Sequence, residues 1–447
     1  MSEWKKVKIG EICQIIKGTT GIASAEPGEY PLVVTALERK TCSSFQFDCE
    51  AVCIPLVSSS GHGKKTLNNI HYQSGKFALG TILCAVIPNN PNELDARFLH
   101  QYLQFDKDKI LVSLMKGAAN VSLSMKDIAK VEIPLPSIEK QHKLSELFVE
   151  TQKKYKELLE ESEKQKSYMK LLRQNILQEA IEGKLTEEWR KENPVVKGNP
   201  DFDAEALFEK IQEEKCHTDS ELPLETSLRI RNFKKKVFEP IAENEQPFEI
   251  PEGWKWVRLG EICKKITDGS HNPPPNTGKG YPVISAMNIK KGEISFDTIA
   301  RYTDESGFQK ENKRTQITRG DLIMGIIGAS IGNIAIYNHD EKVIAQRSIA
   351  IIDTYLSNLF IRIVLSSKFI QNDLQAKAFG SAQGGVYLGK ISNLLIPLPP
   401  LSEQKEIVSC VEKLLANVTE LEKQITEREE MTKQLMQSIM KDAFREV

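Results

Sequence analysis

The chain has 447 residues, 27% of them charged and 40% hydrophobic, with a net charge of −1 at pH 7. That composition suits about two to four ordinary domains with sizeable cores and excludes a low-complexity or disordered chain. No apolar run approaches the roughly 20 residues of a membrane span, and the opening Met-Ser-Glu-Trp-Lys-Lys lacks an apolar signal core, so a cytoplasmic protein is expected.

Residues 1–136 form a first block. Short apolar runs at 30–36, 51–57 and 81–88, broken by turn residues, read as strands of a mixed α/β domain, and 96–103 reads as a helix. The opening phrase Trp4-Lys5-Lys6-Val7-Lys8-Ile9-Gly10-Glu11-Ile12-Cys13 returns as Trp254-Lys255-Trp256-Val257-Arg258-Leu259-Gly260-Glu261-Ile262-Cys263, at an offset of 250. The closing phrase Ile133-Pro134-Leu135-Pro136 returns as Ile396-Pro397-Leu398-Pro399, at an offset of 263. Between these echoes the two halves diverge.

Residues 137–185 change character. No Pro interrupts 138–182, and Leu144, Phe148, Thr151, Tyr155, Leu158, Ser162, Gln165, Met169, Leu172 and Ile176 alternate steps of four and three. That is the seam of a long heptad helix, stopped at Gly183. Residues 186–251 read as a connector with a short helix at 203–215. Its basic run at 229–236 fits a solvated linker better than a DNA-backbone contact. Residues 252–400 form the second block. Residues 401–447 repeat the helix, with a seam of Ile407, Val411, Leu414, Val418, Leu421, Ile425, Arg428, Thr432, Leu435 and Ile439, each 263 positions after its counterpart. A helix of about 40 residues is roughly 60 Å long. Two such seams in one chain suit an intramolecular coiled coil; two amphipathic helices lying separately on the blocks are the alternative.

Charge follows this division. Residues 1–136 carry 15 Lys and Arg against 13 Asp and Glu, and residues 252–398 carry 18 against 13, whereas the helices and connector are acidic. A polyanion would be drawn to the blocks. The 8 cysteines are scattered, and Cys13, Cys84, Cys263 and Cys410 sit in apolar patterns, which favours reduced buried thiols over a disulfide framework. Cys49 and Cys53 lack the spacing and histidine partners of a zinc site.

Catalytic motifs are wanting. His271-Asn272-Pro273-Pro274-Pro275 is like the Asn-Pro-Pro-aromatic motif of adenine methyltransferases, but Pro275 stands where an aromatic must stack on the flipped base, and no Gly-rich cofactor loop is in place. Gly325, Gly328 and Gly332 match neither a dinucleotide loop nor a P-loop. Glu38-Arg39-Lys40 has a nuclease-like Glu-x-Lys spacing without the preceding strand end. No histidines are spaced as metal ligands. The residues point to a non-catalytic binding protein; a drifted single-chain DNA methyltransferase and a coiled-coil scaffold are the competing classes.

Three phrases, in order, carry a resemblance. They are Ala180-Ile181-Glu182-Gly183-Lys184-Leu185-Thr186-Glu187-Glu188-Trp189, then Ile250-Pro251-Glu252-Gly253-Trp254 running on to Ile262, then Ile396-Pro397-Leu398-Pro399-Pro400-Leu401-Ser402-Glu403-Gln404. A degraded copy of the last stands at 134–141. The chain resembles the specificity (S) subunits of Type I restriction–modification systems along essentially its whole length. The resemblance implies an α+β fold: two mixed α/β target-recognition domains separated by a pair of long antiparallel coiled-coil helices, with an internal pseudo-two-fold. It also implies that each domain reads half of an asymmetric bipartite double-stranded DNA site. The helices would set the spacer and dock two modification (M) subunits. S-adenosylmethionine would sit in the M subunits, ATP and Mg in restriction (R) subunits, and no cofactor in this chain. Half-sites one turn apart need modules about 34–36 Å apart, within the span of such helices.

Base reading needs Arg, Lys, Asn, Gln, Ser or Thr on reaching loops. The candidates in the first block are Lys17, Thr19 and Thr20; Ser59, His62, Lys64, Lys65 and Asn68; and Lys116 and Asn120. In the second block they are Ser270, His271, Lys279, Arg347, Gln383 and Tyr387.

Overall fold

The computed structural model describes residues 4–60, 63–118, 120–220, 237–379 and 384–445. It divides into two compact units. One comprises residues 1–164 and 425–447, the other residues 165–424. The compact units therefore draw on both long helices, whereas the sequence blocks stop short of them.

In the first unit the two border phrases are partners. Strand Lys5–Lys8 pairs antiparallel with Glu132–Leu135, with Val7 opposite Ile133, and the backbone N–H of Ile9 donates to the carbonyl of Val131 at 2.9 Å. Entry and exit of the block are thereby tied together. Next comes an antiparallel sheet in the order Cys13–Lys17, Leu83–Pro88, Ala51–Pro55, His71–Gln73. Ala51–Pro55 is buried throughout, as a continuous apolar run must be when both faces are covered. One cover is helix Ala96–Phe105, whose first turn is capped by the Asp95 carboxylate accepting from Phe98 N at 2.7 Å. The other is a second sheet, ordered Lys40–Cys42, Tyr30–Val33, Lys76–Leu79, Phe47–Asp48, with a parallel central pair.

The second unit repeats this scheme. Lys255–Arg258 pairs with Leu395–Leu398, Val257 opposite Ile396, and Leu259 N donates to Leu394 O, again at 2.9 Å. The four-stranded sheet runs Cys263–Asp268, Ile349–Thr354, Leu322–Gly325, Ile334–Ile336, the same order and sense as in the first unit. Tyr281–Ile284 again pairs in parallel, here with Ile344–Ala345. The sequences between the borders diverge, yet the strand order inside them does not.

The helices span Ile138–Ile181 and Leu401–Arg445. Their sense is antiparallel within each unit. In the first, Phe444 sits among Phe98, Tyr102, Phe105 and Phe148 with ring centroids 5.5–6.5 Å away. In the second, Arg173 donates to Glu422 at 2.8 Å and to Thr419 at 2.7 Å. The seam closes unevenly. The row Phe148, Ser162, Ile176 is buried, with Tyr155 and Met169 half-buried between. The matching row Val411, Val418, Ile425 is buried too, and Ile439 is half-buried. In the other row Leu144 and Ile407 are buried at the helix starts and Leu414 is half-buried, but Leu158, Leu172, Leu421 and Leu435 are exposed by 39–61%. Two helices meeting alone close one line of contact; the flanking row is covered only where a globular core backs it.

The connector is less loose than its sequence suggests. Helix Ala204–Ser220 buries Ala204, Leu207 and Ile211 in the second unit's core beside Trp254 and Leu259. No described helix is long and apolar enough to cross a membrane.

The three phrases of the resemblance meet at one buried carboxylate. Glu403, in the first turn of the second long helix, accepts from Trp254 Nε1 at 2.7 Å, from Thr186 Oγ1 at 2.6 Å, and from Arg190. Arg190 also donates to Gly183 O at 2.6 Å. Gly183 has φ of 72° and stands so near Pro251 that a Cβ would lie 2.6 Å from its ring, so both its conformation and its packing require glycine. Offset 263 places Lys140 opposite Glu403, so this cluster is not duplicated. The neighbouring glutamine is: Gln141 and Gln404 each donate to the carbonyl five residues before, both at 2.9 Å. Removing the Glu403 carboxylate strands a half-buried guanidinium and a buried indole N–H. Glu403→Ala should therefore destabilise the second unit by about 3–5 kcal/mol. Exposed Glu139→Ala should stay within about 0.5 kcal/mol. Urea unfolding followed by tryptophan fluorescence measures both.

Candidate nucleic-acid interface

The candidate loops gather because the sheet has one open end. In the first unit, Cys13–Lys17 and Ala51–Pro55 both finish where Leu83–Pro88 begins, with Lys17 opposite Cys84 and Pro55 opposite Leu83. Gly18 then runs against the backbone of 79–80; a Cβ there would lie 2.2 Å from Gly80 O. Thr20 N donates to Leu79 O at 3.0 Å and Thr19 N to Gln46 Oε1 at 3.0 Å, so this turn is held rigid with Thr19 exposed.

The long loop after Pro55 is braced internally. Ser58 and Ser60 bond to Thr66, and Ser59 Oγ accepts from Asn68 N at 2.9 Å. The Ser59 hydroxyl is thus engaged in shaping the loop, while Lys64, Lys65 and Asn68 remain exposed. The turn carrying Lys116 and Asn120 lies alongside: Ser58 N donates to Val121 O at 3.0 Å and Leu123 N to Leu56 O at 2.9 Å. Lys116 is mostly exposed while 3.1 Å from the Asp127 carboxylate. Its charge remains open to a second partner, since an exposed pair of this kind is weak. The three candidate groups thus share one end of the sheet. His62 lies outside the described residues.

In the second unit the same end gathers four of the six candidates or their neighbours. Ser270 N donates to Ala345 O at 2.7 Å and Arg347 N to Ser270 O at 3.0 Å. Ser270 is only 2% exposed, sealed by this bridge, so the surface there belongs to His271 and Arg347. His271 Nε2 lies 2.8 Å from the Asp268 carboxylate. Val386 N donates to Ile326 O at 2.9 Å, which brings exposed Tyr387 to the same end. Lys279 goes elsewhere: it precedes Tyr281–Ile284, at the far end of that strand, roughly 13 Å from the cluster at 3.3 Å per residue. Gln383 and the basic run at 229–236 lie outside the described residues. Gly269 repeats Gly18, with a Cβ only 2.1 Å from Gln346 O. Among the described residues no group of three or more His, Cys, Asp or Glu could hold a metal ion.

Residues 1–167 and 251–430 match the family model described as the Type I restriction modification DNA specificity domain. The chain belongs to this family. Among curated relatives, the Type I restriction enzyme EcoBI specificity subunit of Escherichia coli is 31% identical over 202 residues, which is 44% of this chain and 42% of that one. The EcoDI specificity subunit of Escherichia coli is 24% identical over 464 residues, 99% of this chain and 88% of that one. The chain thus spans less than half of the first relative and most of the second. The crystal structure of the HsdS subunit from Thermoanaerobacter tengcongensis has the same fold, with a TM-score of 0.56 at 18% identity over 100% of this chain and 97% of that one.

The specificity-domain matches begin at each border ribbon and run into each long helix, so the family's unit is a block plus helix, present twice. Sequence reasoning missed the brace beneath the first domain's loops. Arg39 Nη1 lies 2.9 Å from His71 Nδ1, and the same guanidinium donates to Gln73 Oε1, Leu37 O and Tyr72 O. In the sequence Arg39 stands in the Glu38-Arg39-Lys40 triplet with its nuclease-like spacing; in the structure it is a strut. Burial, and then the Arg39 charge, push His71 down to about 4 from its ordinary 6.5. The folded value lies below the unfolded one, so the neutral ring's contribution is complete above about pH 6.5 and is lost as pH falls towards 4. The first unit should lose up to about 3 kcal/mol across that window. His71→Asn, which keeps an acceptor for Arg39 but cannot titrate, should flatten the pH dependence in urea denaturation between pH 4 and 6.5.

Proposed function

We propose that the chain is the DNA sequence-recognition subunit of a Type I restriction–modification complex, each domain reading one half of an asymmetric bipartite site. Family membership supports this, and one observation carries it: the same strand order occurs twice, with unlike loops at the same end. In the first domain the connection between Ala51–Pro55 and His71–Gln73 is long and bears Lys64 and Lys65. In the second domain the corresponding connection, between Leu322–Gly325 and Ile334–Ile336, is short. One frame with two sets of loops is what two different half-sites require.

The long helices supply the measure between half-sites and the docking face for two modification subunits. Their exposed apolar row, with Leu158, Leu172, Leu421 and Leu435 and the neighbouring Tyr168, Leu171 and Met431, suits that docking. The modification subunits hold S-adenosylmethionine and methylate adenine. Restriction subunits, where present, use ATP and Mg, and the complex works in the cytoplasm of a bacterium or archaeon. This chain supplies recognition without chemistry.

The test uses the chain assembled with its modification subunits on its methylated target. Lys64→Ala with Lys65→Ala should weaken binding to specific and nonspecific DNA alike and reduce the log–log salt slope by about 2, since each lysine neutralises a phosphate. An unchanged slope, or methyl transfer by the purified chain alone, would contradict the reading.

A further inference from the structure

Each domain holds up one large apolar side chain at the open end of its sheet. In the first it is Leu37, 75% exposed; in the second Met287, 77% exposed. These are the most exposed large apolar residues described in their respective domains. A single exposed leucine or methionine is ordinary. What sets these apart is their matched position. Leu37 lies in the loop leaving Tyr30–Val33, and Met287 in the turn leaving Tyr281–Ile284, the equivalent strand. Both strands pair in parallel with the strand that leads into the sheet's open end, where Gly80 N donates to Val33 O at 3.0 Å and Gln346 N to Ile284 O at 2.9 Å.

Both side chains also stand on rigid supports. Arg39 donates to Leu37 O at 3.1 Å while anchored to the His71–Gln73 strand, and Asn69 Nδ2 donates to Thr35 O at 3.0 Å. In the second domain buried Asn288 accepts from Ser285 N at 2.8 Å and donates to Thr298 O at 3.0 Å, and Ser348 Oγ accepts from Ala286 N at 3.2 Å. Different residues in the two domains achieve the same result: a braced turn with an apolar tip. The Met287 turn is bonded to Ser348, the residue after Arg347, and the Leu37 loop to Asn69, the residue after Asn68.

Resting on the DNA-recognition reading, we infer that Leu37 and Met287 are base-edge contacts, each packing against a thymine methyl group in its own half-site. The thymine methyl is the apolar feature of the major groove, and an apolar side chain is what reads it. A rigid tip loses little freedom on contact, and its apolar surface leaves water only when DNA binds.

The experiment measures affinity of the chain assembled with its modification subunits, on its mapped site and on scrambled DNA. Deoxyuridine replaces each thymine of the site in turn. One replacement in one half-site should weaken binding roughly fourfold, the worth of a buried methyl. Leu37→Ala should cause at least that loss on the mapped site, leave scrambled-DNA binding unchanged, and abolish sensitivity to that one replacement. Met287→Ala should do the same for a thymine in the other half-site. If both variants bind the mapped site as the parent does, or remain sensitive to every deoxyuridine, the inference falls while the recognition reading stands. If Leu37→Ala instead sheds its modification subunits, the residue is a protein contact and the inference falls. A parent complex that does not prefer its mapped site overturns both.

Discussion

The rest of the structure depends on the tie that closes each block. A two-stranded ribbon pairs the block's first strand with its last, and one further hydrogen bond, Ile9 to Val131 or Leu259 to Leu394, follows it. Because entry and exit are fixed side by side, the polypeptide between them can change length and sequence without disturbing what precedes or follows. The offset between halves can thus drift from 250 at one border to 263 at the other while each ribbon keeps its register. Proteins that must change what they recognise without changing how they assemble need such a boundary.

Within that boundary the invariant part is the antiparallel sheet, and the variable part is what leaves its open end. Gly18 and Gly269 show how the frame is kept: each runs so close to a neighbouring backbone that a side chain cannot be fitted. The loops beyond them are braced by unrelated means, a serine–threonine network and an arginine strut in one domain and a buried asparagine in the other. On the proposed reading, specificity would reside in short polar and apolar tips on a stiff base, which would limit the ordering cost of DNA binding.

The border echoes, both long helices and their stop near Gly183 were legible in the sequence because they rest on repetition and periodicity. The seam was legible only in part. A heptad pattern marks two rows, and only the row through Phe148 and Val411 faces inward along much of each helix; which row faces a partner is not written in the period. The repeated strand order was hidden because buried strands accept many apolar sequences, as Ala51–Pro55 and Leu322–Gly325 illustrate. Glu403 was visible as part of a phrase but not as a hub, since its partners come from residues 186, 190 and 254. Ser270 looked like a polar loop residue; a backbone bridge buries it. Leu37 and Met287 carried no signal, because exposure of an apolar residue is a property of the fold alone.

On the proposed reading, each domain's interior, between its closing hydrogen-bond partners, carries one half-site and nothing else. The direct test replaces residues 9–131 with residues 259–394, so that both blocks hold the second interior, and maps methylated adenines in cells that also express the modification subunits. The account predicts a target with two copies of one half-site in inverted orientation and an unchanged spacer. Retention of the original first half-site, or an altered spacer, would contradict it.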